Sequence, residues 1–105
     1  MLWRIHPYAS TRGAAVRIVE FEWDDANLAH LGEKGIEPED VDAMLATRIT
    51  VVRNKREGPG LYRFVGRGKG GRFLTVVVTR TADPGRWRPV TGWDSSQEER
   101  RRHGE

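Results

Sequence analysis

The chain of 105 residues contains no cysteine. No disulfide framework and no thiolate metal site can be built from it, and its composition suits a reducing compartment. It has no apolar run near the roughly 20 residues that a membrane-spanning helix needs. Residues 1–7 (Met-Leu-Trp-Arg-Ile-His-Pro) lack the apolar core of a secretory signal. A soluble cytoplasmic protein with no membrane attachment is therefore expected. The three histidines, His6, His30 and His103, are scattered and lack the spacing of a zinc site. There is no nucleophile-elbow sequence for a serine triad. Neither a metal nor another cofactor is expected.

Charge, in contrast, is abundant and segregated. The net charge is only +3, but residues 17–46 carry two bases against nine acids, a net of −7, and residues 48–93 carry eleven bases against two acids, a net of +9. Such asymmetry points to a polyanion on the basic side and to a basic partner, or water, on the acidic side.

The length fits one domain. Residues 1–16 show no clean period and read as a poorly ordered arm, or as an added edge strand around residues 2–5. The domain proper is expected over residues 17–103. A strand over 17–23 ends in Phe21 and Trp23. Asp24 is suited to cap a helix from Asp25 to about Lys34, in which Leu28 and Leu31 pair while Asn27, His30 and Lys34 share a neighbouring stripe. Gly35 suits the left-handed position after that helix. Pro38 opens a second helix, with acids in its first turn, Ile36 and Val41 placed as a hydrophobic staple, and Val41, Met44 and Leu45 as its buried stripe. Strands follow at 48–54, 61–67, 72–80 and 87–93, separated by Gly/Pro-rich turns. The run Leu74-Thr75-Val76-Val77-Val78 is apolar on both faces, which suits a central strand. Pro89 argues for an edge or a bulge. Ser95-Ser96-Gln97-Glu98 has capping-box spacing and opens a short basic helix through Arg102. The expected fold is α+β, with two N-terminal helices packed on an antiparallel sheet of about four strands and a short C-terminal helix.

The Gly66-Arg67-Gly68-Lys69-Gly70-Gly71 stretch lies between two strands with no helix to receive a phosphate, so it reads as a hairpin turn rather than a phosphate loop. RNA binding and cleavage suit the rest better. Metal-free cleavage uses the 2′-hydroxyl of the substrate as nucleophile. The protein must then supply a base, an acid and cations for the developing phosphorane charge. Arginine pairs with phosphate through its planar fork, and the strands hold Arg63, Arg72, Arg80 and Arg88 interleaved with Tyr62, Phe64, Phe73, Trp87 and Trp93. Aromatics beside arginines form single-stranded nucleic-acid platforms; the same rings also serve as core. His30 is either a packed structural histidine or, beside Asn27 and Lys34, an acid or base that titrates near neutrality.

Trp23-Asp24-x-x-Asn27-x-x-His30, Gly35-Ile36, Pro38-Glu39-Asp40-Val41 and Leu45, followed by Tyr62-Arg63-x-x-Gly66, Gly71-Arg72-Phe73-Leu74-Thr75-Val76-Val77 and Arg88-Pro89-Val90-Thr91-Gly92-Trp93-Asp94 leading to Glu98-Glu99-Arg100-Arg101, occur in this order. Over roughly residues 20–103 the chain thereby resembles the BrnT-like toxins, small ribonucleases of type II toxin–antitoxin systems with a RelE-like fold. The resemblance implies an endoribonuclease that cleaves RNA without metal and inhibits translation, ribosome-bound mRNA being one candidate substrate, and that a cognate DNA-binding antitoxin holds inactive. It implies catalytic roles for His30, Arg63, Arg72, Arg88 and the Asp94/Glu99 region, with proton transfer by His30 or Glu99. RNA contact is assigned to Lys34, Lys69, Arg80 and Trp93. The chain departs from the family in having Lys34 where histidine usually precedes the helix-turn glycine, and Gly92-Trp93 after the last strand. Lysine binds phosphate but is a poor acid–base group at its ordinary pKa. These departures keep open a non-catalytic RNA- or protein-binding module on the same fold. An adaptor whose acidic helices hold a basic partner is the third possibility.

Overall fold

The most apolar stretch of the chain occupies the middle of its sheet. In the computed structural model, which describes residues 8–11, 14–54 and 60–103, strand β6 (Phe73–Arg80) is flanked on both sides by other strands. Residues 74–78 are buried throughout, as a run apolar on both faces requires. In chain order the other elements are β1 (Tyr8–Thr11), β2 (Ala14–Arg17), β3 (Glu20–Phe21), α1 (Asp25–Glu33), α2 (Pro38–Asp42) continued by a 3₁₀ turn (Ala43–Ala46), β4 (Thr50–Asn54), β5 (Leu61–Arg67), a 3₁₀ turn (Lys69–Gly71), β7 (Arg86–Asp94) and α3 (Gln97–His103). The main sheet runs β3-β7-β6-β5-β4 and is antiparallel except for β3, which joins β7 in parallel. The class is α+β. Among the described residues no helix is long and apolar enough to cross a membrane.

Local chemistry explains the helices. The Asp24 side chain accepts from the Asn27 N–H (2.9 Å), and the Asn27 side chain accepts from the Asp24 N–H (2.8 Å). This reciprocal capping satisfies two N–H groups that the helix itself leaves without partners. At the far end of α1, Gly35 N–H donates to Gly32 O and Ile36 N–H donates to Leu31 O, both at 3.0 Å. That double closure needs a left-handed residue, which Gly35 supplies at φ 76°. Pro38 opens α2, and the staple residues Ile36 and Val41 are both buried. Leu31, Ile36, Val41 and Met44 then cover one sheet face, meeting Phe64, Leu74, Val76 and Trp87. Glycine is also required at Gly68, where a Cβ would run into the Asp40 carbonyl oxygen.

Several expectations change. The strand predicted over 17–23 breaks, because the Val19 and Glu20 N–H groups both turn to Gly85 O (2.7 and 3.2 Å). The chain leaves β2 there and becomes β3, so the sheet has five strands rather than about four. In place of the arm, β1 and β2 form an antiparallel hairpin that crosses residue 16; residues 2–5 lie outside the described residues. Leu28 is exposed at 38% and Leu45 is only partly buried. Pro89 does sit at a bulge, one of the two places expected for it: Val77 faces Thr91 while Val78 faces Pro89, which leaves Val90 without an opposite residue. The capping box of α3 is Ser96 with Glu99, one residue later than predicted.

Candidate functional site

Strand register sorts side chains onto two faces, since directly paired residues point the same way. Opposite the α1–α2 face, the pairings set Val52 beside Arg63 and Val77, and Thr50 beside Val65, Thr75 and Trp93. This second face receives α3. Thr50 Oγ1 donates to His103 O at 2.9 Å, which anchors the end of the helix on β4. At its start, Ser95 N–H donates to Phe73 O (2.9 Å) and the Ser95 hydroxyl meets that of buried Thr75 at 2.8 Å.

Glu99 is the hub of this face. Its Oε1 accepts from the Ser96 N–H (2.8 Å) and from Trp93 Nε1 (3.1 Å), and its Oε2 lies 3.4 Å from Arg63 Nη1. The Arg63 guanidinium in turn sits 5.3 Å from the centre of the Trp93 ring, within cation–π range. Burial pushes the Glu99 carboxyl up, but the Ser96 N–H and the Trp93 indole N–H outweigh it and hold the group below its ordinary value. His103 lies one turn further along α3 from Glu99. Burial pushes its imidazole below the ordinary 6.5, with the charges of Arg102 and Arg63 acting the same way against Glu99. At pH 7 the patch therefore holds an ionised carboxylate, a neutral imidazole and a guanidinium. Such a set can move a proton and stabilise a phosphate oxygen. Nearby, Arg67 stacks 4.8 Å over Phe73, and its Nη1 donates to Gly71 O at 3.0 Å.

Of the ten residues that the sequence suggests, Arg63, Glu99 and Trp93 are brought together. His30 is not among them. It is exposed on α1, which turns Asn27 and Leu31 inward on the other side of the sheet, so the expected Asn27-His30-Lys34 stripe does not exist as one surface. Lys34 is an exposed helix cap and Lys69 an exposed turn residue. Arg72 ties three elements together: Nε and Nη2 clasp Asp94 (2.7 and 3.2 Å), while Nη1 reaches Gly35 O (2.9 Å) and Asp40 (3.4 Å). Arg88 clasps the helix cap Asp24 through Nε and Nη2 at 2.9–3.1 Å. Arg80 covers aromatic rings on the core face. Sequence reasoning considered His103 only as a metal ligand and passed over Thr75 and Ser96. The usable signal is the i, i+4 spacing of Glu99 and His103, which puts both on one side of a helix.

Among the described residues no group of three or more histidine and acidic side chains is placed to hold a metal ion. Comparison of the chain with protein-family models, curated proteins and solved structures finds no match.

Proposed function

We propose that this protein is an endoribonuclease of the BrnT-like kind, with a RelE-like arrangement of sheet and helices, which cleaves RNA without a metal and thereby inhibits translation. One observation carries the reading: Arg63, Trp93 and Glu99 meet on a single sheet face, with His103 in electrostatic reach. His103, neutral at pH 7, takes the proton of the 2′-hydroxyl. The 2′-oxygen attacks phosphorus, the P–O5′ bond breaks, and the departing 5′-oxygen takes a proton from solvent, which leaves a 2′,3′-cyclic phosphate. Arg63 holds the developing phosphorane charge. Glu99 is a positioning residue that orients Arg63 and Trp93. The proton-transfer role expected of His30 or Glu99 thus passes to His103. The exposed acids of α1 and α2 suit a basic segment of a DNA-binding antitoxin.

The non-catalytic reading keeps one observation in its favour. Both oxygens of Glu99 are already engaged by this chain's own groups.

Purified protein incubated with single-stranded RNA and EDTA separates the two. Cleavage with cyclic-phosphate ends is expected, falling roughly 100-fold or more in Arg63→Ala and His103→Ala. The acid limb of the rate should lie below pH 6.5, since His103 must be unprotonated to act. Intact RNA at micromolar protein, with no growth arrest on induction, would sink the endonuclease reading.

A further inference from the structure

The arginines of the sheet divide by the partners they keep. Arg63, Arg72, Arg86 and Arg88 each lie against a carboxylate. Among the described residues, Arg53 and Arg80 keep company with Tyr62 instead. Arg80 Nη2 donates to the Tyr62 hydroxyl at 3.1 Å, and its guanidinium lies 5.4 Å from the Tyr62 ring centre and 5.1 Å from that of Trp87. Arg53 stands directly opposite Tyr62 on β4, and its charge acts on the same phenol. Both arginines are exposed residues, while Tyr62 and Trp87 are buried.

Two cations flanking one phenol repel each other, and an anion between them offsets that repulsion. The geometry favours holding one. Stacking over two rings fixes the Arg80 fork, and a fixed planar fork binds a tetrahedral oxyanion with little loss of freedom. The phenol offers its own O–H beside them. The Arg80 hydrogen bond holds that phenol below its ordinary 10.0 against burial, and the charges of Arg80 and Arg53 act in the same sense, as expected of a local positive field. The ring faces are already occupied by Arg80, so a nucleobase has no platform here. What the cluster offers is a place for a phosphate.

Its position gives the phosphate a source. Tyr62 and Arg63 are neighbours on β5 whose side chains point to opposite faces, so one end of the β4–β5 pair carries Arg63 on one side and Arg53 with Arg80 on the other. We infer that Arg53, the Tyr62 hydroxyl and Arg80 form a second phosphate-binding subsite, which takes a phosphodiester of a single-stranded nucleic acid next to the stretch held at Arg63. The strand as source rests on reading the Arg63 face as an RNA site; the phosphate chemistry does not.

The test uses a labelled 2′-O-methyl oligouridine of about eight nucleotides, within the span a single small domain covers, which cannot be cleaved by 2′-oxygen attack. Its binding is followed by anisotropy across a salt series. Each lost phosphate contact should lower the slope of log affinity against log salt by about 0.7. That loss is expected in Arg53→Gln and in Arg80→Gln. Arg53→Gln is the decisive variant, because Arg53 packs on no ring and its loss leaves the core covered. Inorganic diphosphate is titrated separately, with the arginine side-chain N–H resonances as readout. Shifts at Arg53 and Arg80 that persist in Arg63→Ala, and that the oligonucleotide displaces, support the subsite with a strand as its source. Shifts that the oligonucleotide leaves in place support a phosphate subsite fed by small molecules. An unchanged slope in folded Arg53→Gln, together with no response to diphosphate, overturns the inference. Uncleaved RNA alongside the expected loss of slope in Arg53→Gln would instead count against the endonuclease reading alone.

Discussion

Asn27 joins two parts of the chain that the sequence places far apart. Its Nδ2 donates to Glu22 O and Pro89 O, each at 2.9 Å, while its Oδ1 accepts from the Asp24 N–H. The side chain is 2% exposed. Spacing alone groups it with His30 and Lys34, because helical periodicity shows which residues share a side but not which side faces inward. What decides the matter is a carbonyl 62 positions away, freed at the β7 bulge, and no local pattern contains that. Asn27→Ala should cost about 2–4 kcal/mol in urea unfolding, because it strands a buried carbonyl and removes half of the capping box. Asn27→Asp should be nearly as damaging, since it keeps the acceptor and loses both donors. His30→Ala, at an exposed site, should stay within about 0.5 kcal/mol. A loss below about 1 kcal/mol for Asn27→Ala would show that water replaces the amide and that the tie is not needed.

At the scale of elements, legibility followed punctuation. The strand predicted over 61–67 coincides with β5, because glycines bracket it on both sides. The helices α1 and α2 were equally plain, since caps, Pro38 and Gly35 act within a few residues of where they stand. β3 was not legible as a separate strand: its two residues exist only because Gly85 and β7 accept them in parallel. α3 is the intermediate case. Its cap is local, but its seat on the face opposite α1 depends on Arg63, Trp93 and Thr50. The helix buries no residue of its own, so its stability rests on the cap and on these polar ties. Ser96→Ala removes the hydroxyl that accepts from the Glu99 N–H at 3.1 Å. Hydrogen exchange across α3 should accelerate about fivefold, equivalent to a cap of about 1 kcal/mol. Amides of β6 should exchange as before, because α3 opens without the sheet. Equal acceleration in both elements would mean that α3 and the core unfold as one unit.

For the whole molecule, the segregated charge becomes an architectural fact. The acidic helical segment lies against the basic sheet, and Arg72 and Arg88 join them through Asp40 and Asp24, while Arg72 also clasps Asp94 at the end of β7. The Asp94 carboxyl is held below its ordinary 3.8 by the Arg72 hydrogen bond against burial. Asp24 is held down first by the Asn27 N–H and then by Arg88. A carboxyl whose pKa is lower folded than unfolded binds fewer protons in the native state. Its stabilisation is complete above 3.8 and is lost as pH falls through the lower folded value. Asp42 opposes this trend, since burial pushes it up, but it is one group against three, because Glu99 is also held below its ordinary value. The melting temperature should therefore hold near neutrality, ease below pH 6.5 as His103 gains a proton on unfolding, and fall further below about pH 4, with protons taken up on unfolding throughout. Arg72→Met should reduce that uptake more than Arg88→Met does, because the Asn27 N–H keeps Asp24 low after Arg88 is gone. The double variant should take up fewer protons on acid unfolding than either single variant. An acid profile identical to that of the parent protein would mean that these arginines only decorate the junction, and that apolar packing of Leu31, Ile36, Val41 and Met44 alone holds the helical layer on the sheet.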